Sequence, residues 1–324
     1  MTALRRHIPL LAGLAVYVAL YAAACLAYEG FATLQVFVNF LDDNAPLGVV
    51  AIGMTFVILS GGIDLSVGSM AALCATVIAV LVEQCGWSPA PAFAVALGIG
   101  TVVGLAMGGI IEGLGIAPFI VTLAGMFFAR GLALIVHTGS LAISHPTQNA
   151  LSAWGLPLPG DVRLPLTAVV FLAVCLVGTY LSVLTRFGRS VYAVGGNEES
   201  ARLMGLRVRR TKVAVYGLSG FCAALGGVLT TVYQSAGDSR AGIGMELDAI
   251  AAAVVGGTLL TGGIGTIPGT LVGVLIFGII QTGIMFDGRL NSWWTRVAIG
   301  LLLLGFILLQ KAMTRVGGPS VRRP

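Results

Sequence analysis

Charge is scarce in this sequence, and lysine is almost absent from it. Of 324 residues only 10% are Asp, Glu, Lys or Arg, and the two lysines, Lys212 and Lys311, follow Thr211 and Gln310 rather than a glycine. A phosphate loop of the glycine-lysine type therefore cannot form, so the chain does not bind ATP in that way. The three histidines, His7, His137 and His145, stand at no ligand spacing, and the five cysteines, Cys25, Cys74, Cys85, Cys175 and Cys222, are scattered singly. Neither a metal site nor a disulfide framework is indicated, and no cofactor is expected in this chain. No Ser/His/Asp or paired-carboxylate arrangement suggests an enzyme. Carriers driven by protons or sodium usually need acidic groups embedded in the bilayer. Here the candidates, Glu246 and Asp248, stand at a helix end, which disfavours a self-powered carrier.

What the chain has in abundance is apolar sequence. With 57% hydrophobic residues and a mean hydropathy of +0.98 it has too little polar surface to cover a soluble globule. The reading is an all-α polytopic membrane protein forming one domain over residues 1–324. Apolar runs of spanning length fall at roughly 8–27, 44–60, 65–82, 90–111, 116–137, 164–184, 213–234, 247–263, 267–286 and 293–310, which gives about ten transmembrane helices. The first run lacks a convincing cleavage site and reads as a retained helix rather than a signal peptide. The net charge of +5 does not point to nucleic acid, because 13 of the 18 basic residues lie in three places. Those are Arg5 and Arg6, the loop 185–212, and the tail from Lys311 to Arg323. Ten spans place all three on the cytoplasmic side together with both termini, as the positive-inside rule requires. Cys85, between the third and fourth spans, then lies outside.

The loop 185–212 alone carries seven of the 18 basic residues. Within it Asn197 is a good N-cap, Glu198 and Glu199 fall in the first turn where the helix dipole favours carboxylates, and Gly205 stands where a glycine would end the helix. A helix of about two turns is unstable alone in water and must pack on something. Ala201, Leu203, Met204 and Leu206 offer the apolar surface for that. Two readings stay open: a docking helix for a soluble partner, and a solvated basic loop that only fixes orientation.

The glycines, 46 in all, are read mainly as packing material. Gly100, Gly104 and Gly108, and likewise Gly269 and Gly273, recur every four residues, which lets helices approach closely. One internal echo stands out: Ser60 to Ser69 reads SGGIDLSVGS and Thr261 to Thr270 reads TGGIGTIPGT. Gly-Gly beside hydroxyl residues suggests a broken helix or tight turn at membrane depth. A true repeat and coincident turn chemistry are both compatible with it. Asp64, replaced by Gly265 in the second copy, either caps the following helix or takes part in gating. Arg130 lies well inside the fifth span and should face the protein interior, its partner being Glu246, Asp248 or freed backbone carbonyls. Thr55, Thr122 and Gln281 offer neutral hydrogen bonding along a pathway.

A helical conduit with a cytoplasmic docking helix fits a pathway subunit driven by a separate motor. Four stretches carry a resemblance: GMTFVILSGGIDLSVGS (Gly53 to Ser69), FIVTLAGMFFARG (Phe119 to Gly131), YAVGGNEESARLMGL (Tyr192 to Leu206) and MELDAIAAAVVGGTLLTGGIGT (Met245 to Thr266). Over nearly its whole length the chain resembles the permease subunits of ribose-type bacterial sugar ABC importers. Its GMFFARG and DGRLNSWWTRVAIG stretches most resemble those of the galactofuranose-importing type. The resemblance implies a bacterial inner membrane, a second and related but different permease chain, two cytoplasmic ATP-binding subunits that hold the ATP and magnesium, and a periplasmic sugar-binding protein. It also implies that Asn197, Glu198, Glu199, Ala201, Leu203, Met204 and Gly205 form the coupling segment that rests on the ATPase. The alternative is a secondary carrier or channel for a small polar solute.

Overall fold

Helix after helix follows the apolar runs, and short polar breaks set the ends. The structure, a computed structural model, describes residues 3–289, 291 and 293–317. Its helices are α1 (Ala3–Ala27), α2 (Leu34–Asp43), α3 (Ala45–Leu59), α4 (Val67–Ala79), α5 (Pro89–Leu114), α6 (Pro118–Val136), α7 (Pro146–Ala153), α8 (Leu166–Leu184), α9 (Arg186–Gly196), α10 (Glu198–Leu203), α11 (Val208–Gln234), α12 (Met245–Val255), α13 (Ile267–Asp287) and α14 (Trp293–Gly317). A π-helical turn, Val80–Gln84, prolongs α4. Proline in the first turn starts α3, α5, α6, α7 and α13, where its missing N–H costs nothing.

Not every apolar run becomes one full-length helix. Among the described residues seven helices are long and apolar enough to cross a bilayer, and the number is eight if α2 and α3, bent by 57° at Asn44, count as one span. The run 247–263 folds as α12, whose 11 residues reach about 16 Å, half of a hydrocarbon core of roughly 30 Å. Gly256 ends it, and Gly257, at φ +95°, turns the chain away. The last run folds as α14, whose 25 residues reach about 37 Å. The basic side chains at Arg5, Arg6 and from Lys311 to Arg323 lie outside the described residues.

Around α11 the bundle is close-packed, with α5, α3 and α4 against it. The glycine spacing on α5 explains the fit. A Cβ at Gly100 would meet the Gly220 carbonyl oxygen at 2.5 Å, one at Gly104 that of Tyr216 at 2.3 Å, and one at Gly108 the Val213 Cα at 2.9 Å. Gly269 and Gly273 do the same for α13 against α12. These glycines are packing positions, as their spacing suggested.

The two ends of α5, about 39 Å apart over 26 residues, define two faces of the bundle. Near Pro89 lie the π turn, α7 and two short antiparallel ladders, β1 (Ser140–Ala142) with β4 (Ala236–Asp238) and β2 (Gly155–Pro157) with β3 (Arg163–Pro165). Ser144 N–H donates to Glu83 Oε2 at 2.8 Å, fastening this cap to the end of the π turn. Near Leu114 lie α9 and α10. From β4 the chain does not stay at the surface. It descends along α4, with Gly237 against Ala75 and Gly242 against Gly68, so α12 starts about 10 Å deeper than that first contact.

Candidate functional site

Two places are built for more than packing. The first is the loop face. Asn197 Oδ1 accepts from Ser200 N–H at 2.7 Å, the N-cap that the sequence indicated. At the other end Leu206 N–H donates to the Ala201 carbonyl at 3.1 Å and Gly205 N–H to that of Arg202 at 3.0 Å, with Gly205 at φ +80°. That pair of bonds is a Schellman ending. Its six residues make α10 a single turn and a half, and it is held from outside rather than by its own propensity. Ala201 is wholly buried and packs with Val194 of α9 and Val208 of α11, with Leu206 beside them. Leu203 and Met204 point the other way, 83% and 70% exposed.

Electrostatics reinforce that placement. Lys212 Nζ sits 2.6 Å from Glu198 Oε2 and 3.1 Å from Glu112 Oε1, tying α10 to α11 and to the end of α5. Arg202 closes a further pair with Glu198 Oε1 at 3.0 Å. The Lys212 hydrogen bond, aided by Arg202, holds the Glu198 carboxyl below the ordinary glutamate range.

Behind α10 lies a junction that the sequence did not reveal. The two Gly-Gly-Ile turns touch each other: Gly263 N–H donates to the Leu59 carbonyl at 3.0 Å. Between them and α10 runs α9, whose Gly195 lies against Leu59 and Gly263 and whose Tyr192 Oη donates to the Gly265 carbonyl at 2.8 Å. One short path of backbone contacts thus connects the exposed helix to the ends of α3 and α12. The hydroxyls of Thr55 and Thr270 pair at 2.7 Å, joining α3 to α13 as well.

Asp64 is fully buried in the first turn. Its Oδ1 accepts from Ser66 N–H at 3.0 Å and Ser66 Oγ at 2.6 Å, and its Oδ2 from Ser219 Oγ at 2.7 Å. These bonds close an Asx turn just before α4 and tie it to α11; α4 itself has no side-chain cap. Thr122 donates to the Pro118 carbonyl of its own helix at 2.9 Å and reaches that of Ile63 at 3.3 Å. Arg130 resolves as the carbonyl alternative: its Nη1 donates to the Ser239 carbonyl at 2.6 Å and to that of Ala241 at 2.8 Å. The descending segment leaves those oxygens without ladder partners, and a guanidinium at membrane depth needs acceptors. Glu246 forms no ion pair among the described residues; its carboxylate lies beside Gly68 instead.

The second place is a cavity of about 300 Å³ bounded by the α2–α3 bend, α4, α11, the descending segment, α12 and α13. Its polar lining is Asp43, Asn44, Tyr233, Gln234, Asp248 and Gln281. Tyr233 Oη donates to Asp43 Oδ1 at 2.8 Å. A neighbouring cavity of about 490 Å³ shares Asp248 and Gln281 and continues to Trp293 and Arg296. Of the pathway residues named from sequence, Gln281 lines this space, while Thr55, Thr122, Asp64, Arg130 and Glu246 lie elsewhere. The signal that could have found the rest is weak: single polar residues at the ends of apolar runs look like interface anchors.

Several helices of spanning length, a half-length helix entering from a descending segment, and an apolar knob held outside the bundle are the features of a multi-pass membrane protein. The family described as branched-chain amino acid transport system / permease component matches residues 36–307, and the chain belongs to it. It is a permease subunit of an ABC transporter of the inner membrane. It is 49% identical over 311 residues to the inner membrane ABC transporter permease protein YjfF of Escherichia coli K12, covering 96% of this chain and 94% of that one. Identity is 36% over 323 residues to the fructose import permease protein FruG of Bifidobacterium longum, covering 97% and 94%. The ribose import permease protein RbsC of Escherichia coli K12 is 38% identical over 283 residues, 86% of each chain. No solved structure gives a significant match.

Proposed function

We propose that this chain is a transmembrane permease subunit of an ATP-driven importer that carries a monosaccharide inward. In this reading its single domain, residues 1–324, threads the membrane in ten segments with both termini cytoplasmic. Beside it stand a second, related but different permease chain, two cytoplasmic ATP-binding subunits that hold ATP and magnesium, and a periplasmic sugar-binding protein. The names of the relatives, ribose and fructose import permeases among them, support the sugar class. The GMFFARG and DGRLNSWWTRVAIG stretches support galactofuranose as the sugar. The heterologous second permease rests on that same likeness.

The observation that carries the reading is α10. A bundle that buries Ala201 of this helix and packs Leu206 beside it has no structural use for Leu203 and Met204 in water. Burying such a side chain against a partner is worth roughly 1.5–3 kcal/mol. The coupling segment is Asn197 to Gly205, with Asn197 and Gly205 shaping it, Glu198 fastening it and Leu203 and Met204 making the contact. Leu203→Glu or Met204→Glu should leave membrane insertion intact while abolishing sugar uptake and the substrate-stimulated part of ATP hydrolysis. Arg209→Gln, near the start of α11, should transport nearly normally. Glutamate variants that transport at wild-type rates with the ATPase still bound would sink the docking role. Uptake that survives removal of the ATPase would favour a secondary carrier or channel.

A further inference from the structure

Three candidates compete for a role that the permease reading leaves open. The fully buried Asp64 is satisfied by three hydrogen bonds and closes the turn before α4. The Gly195 junction connects elements without offering room for a ligand. The paired cavities offer both room and free polar groups.

Gln234, Asp248 and Gln281 have no side-chain hydrogen bond among the described residues. Gln281 stands 14 residues along α13 from Ile267, about 21 Å from the loop face, so it lies at bilayer depth. There, lipid gives an amide or a carboxylate no partner, and leaving such a group unpaired costs several kcal/mol. These side chains are therefore placed for water or for a solute that replaces water. The set is mixed: amides that both donate and accept at Asn44, Gln234 and Gln281, carboxylates at Asp43 and Asp248, and the guanidinium of Arg296. The carboxylates outnumber the guanidinium two to one, and a carboxylate can accept two hydroxyls of a neutral sugar or pair with a cation, so a cation is the competing occupant of this space. Two aromatic surfaces flank it, Tyr233 and Trp293, and the Arg296 guanidinium lies 5.3 Å from the Trp293 ring centre on one side. An aromatic face takes the C–H side of a sugar ring while the amides take its hydroxyls. The first cavity alone holds about ten waters' share of liquid volume, enough for a sugar with part of its hydration.

We infer that the space between Tyr233, Asp248, Gln281 and Trp293 is a transient binding site for a neutral monosaccharide within the permease itself. The permease then contributes to selection, after any binding protein has let its cargo go. Weak binding is required, because a sugar held tightly here would not move on. This assignment rests on the sugar-import reading, and the two can fail separately.

The purified full-length chain in lipid nanodiscs would be titrated with D-ribose, D-fructose, D-galactose and L-arabinose, following tryptophan fluorescence and heat of binding. At least one sugar should give a saturable response in the millimolar range. Gln281→Ala should weaken it roughly tenfold, the loss of about one hydrogen bond. Asp248→Asn, which keeps the side chain's size, should weaken the same sugar and serves if Gln281→Ala unfolds early. Leu203→Glu should bind as the wild type does, so a failed docking role would not hide a sugar site. No saturable response to any of the four sugars overturns the proposal, as does an equal response in the cavity variants. A response to sodium or potassium chloride without one to sugar also overturns it, making this a cation site.

Discussion

A methyl group added at Gly195 would sit 1.7 Å from the Leu59 carbonyl oxygen and 2.7 Å from the Gly263 amide nitrogen. Those two atoms are the acceptor and donor of the 3.0 Å hydrogen bond that joins the Gly-Gly-Ile turns. Both are backbone, so no rotamer change can make room. Ordinary contact begins at 3.4 Å, so α9 and the turns would have to part by about 1.7 Å. Overpacking of this kind costs roughly 1–3 kcal/mol, and loosening the buried hydrogen bond adds about 1 kcal/mol. Gly196, the next residue, is the comparison: a methyl there meets nothing within 4 Å, and alanine suits a helix better than glycine. Gly195→Ala should therefore lower the thermal unfolding midpoint of the purified protein by several degrees, at about 2–4 °C per kcal/mol. Gly196→Ala should match the wild type or exceed it. Uptake should fall only in the first variant, because the path from α10 to the ends of α3 and α12 runs through that contact. Indistinguishable midpoints for the two alanine variants would refute the packing argument.

Arg130→Ala should reduce the yield of folded protein by removing two charge-assisted hydrogen bonds to the Ser239 and Ala241 carbonyls, each worth about 1.5–3 kcal/mol. Glu246→Gln on the same background should restore none of it; a rescue would show that the carboxylate is the true partner. Glu198 has its folded-state carboxyl pKa depressed, so the stability it adds is present above the unfolded glutamate value of about 4.3 and is lost as pH falls through the lower folded value. Lys212→Met should remove that acid-side loss from the unfolding profile, and an unchanged profile would count against the ion pair. Cys85, exposed at the end of the π turn, should react with an impermeant maleimide in intact spheroplasts; labelling only in inverted vesicles would reverse the proposed orientation.

How much of this was legible beforehand differs by the range of the interaction involved. Hydropathy alone fixes the class, since a chain with so few charges must face lipid. Local chemistry fixes α10: Asn197 and Gly205 act on their own neighbours, so the cap and the Schellman ending follow from the nine consecutive residues Asn197 to Gly205. The same local rules could not see that 247–263 is too short as a helix. Gly256 and Gly257 are too near neutral to interrupt an apolar run, and only the close approach of α13 at Gly269 shows why the chain turns there. The partner of Arg130 was unreadable for another reason, because backbone carbonyls leave no mark in a sequence until the segment carrying them descends into the bundle. Gly195 and Gly196 are identical letters with opposite surroundings. The cavity is the extreme case: Asp43, Tyr233, Asp248, Gln281 and Trp293 come from five helices spread over most of the chain. Each alone looks like an ordinary helix-end polar or aromatic residue, and only packing brings them to one space.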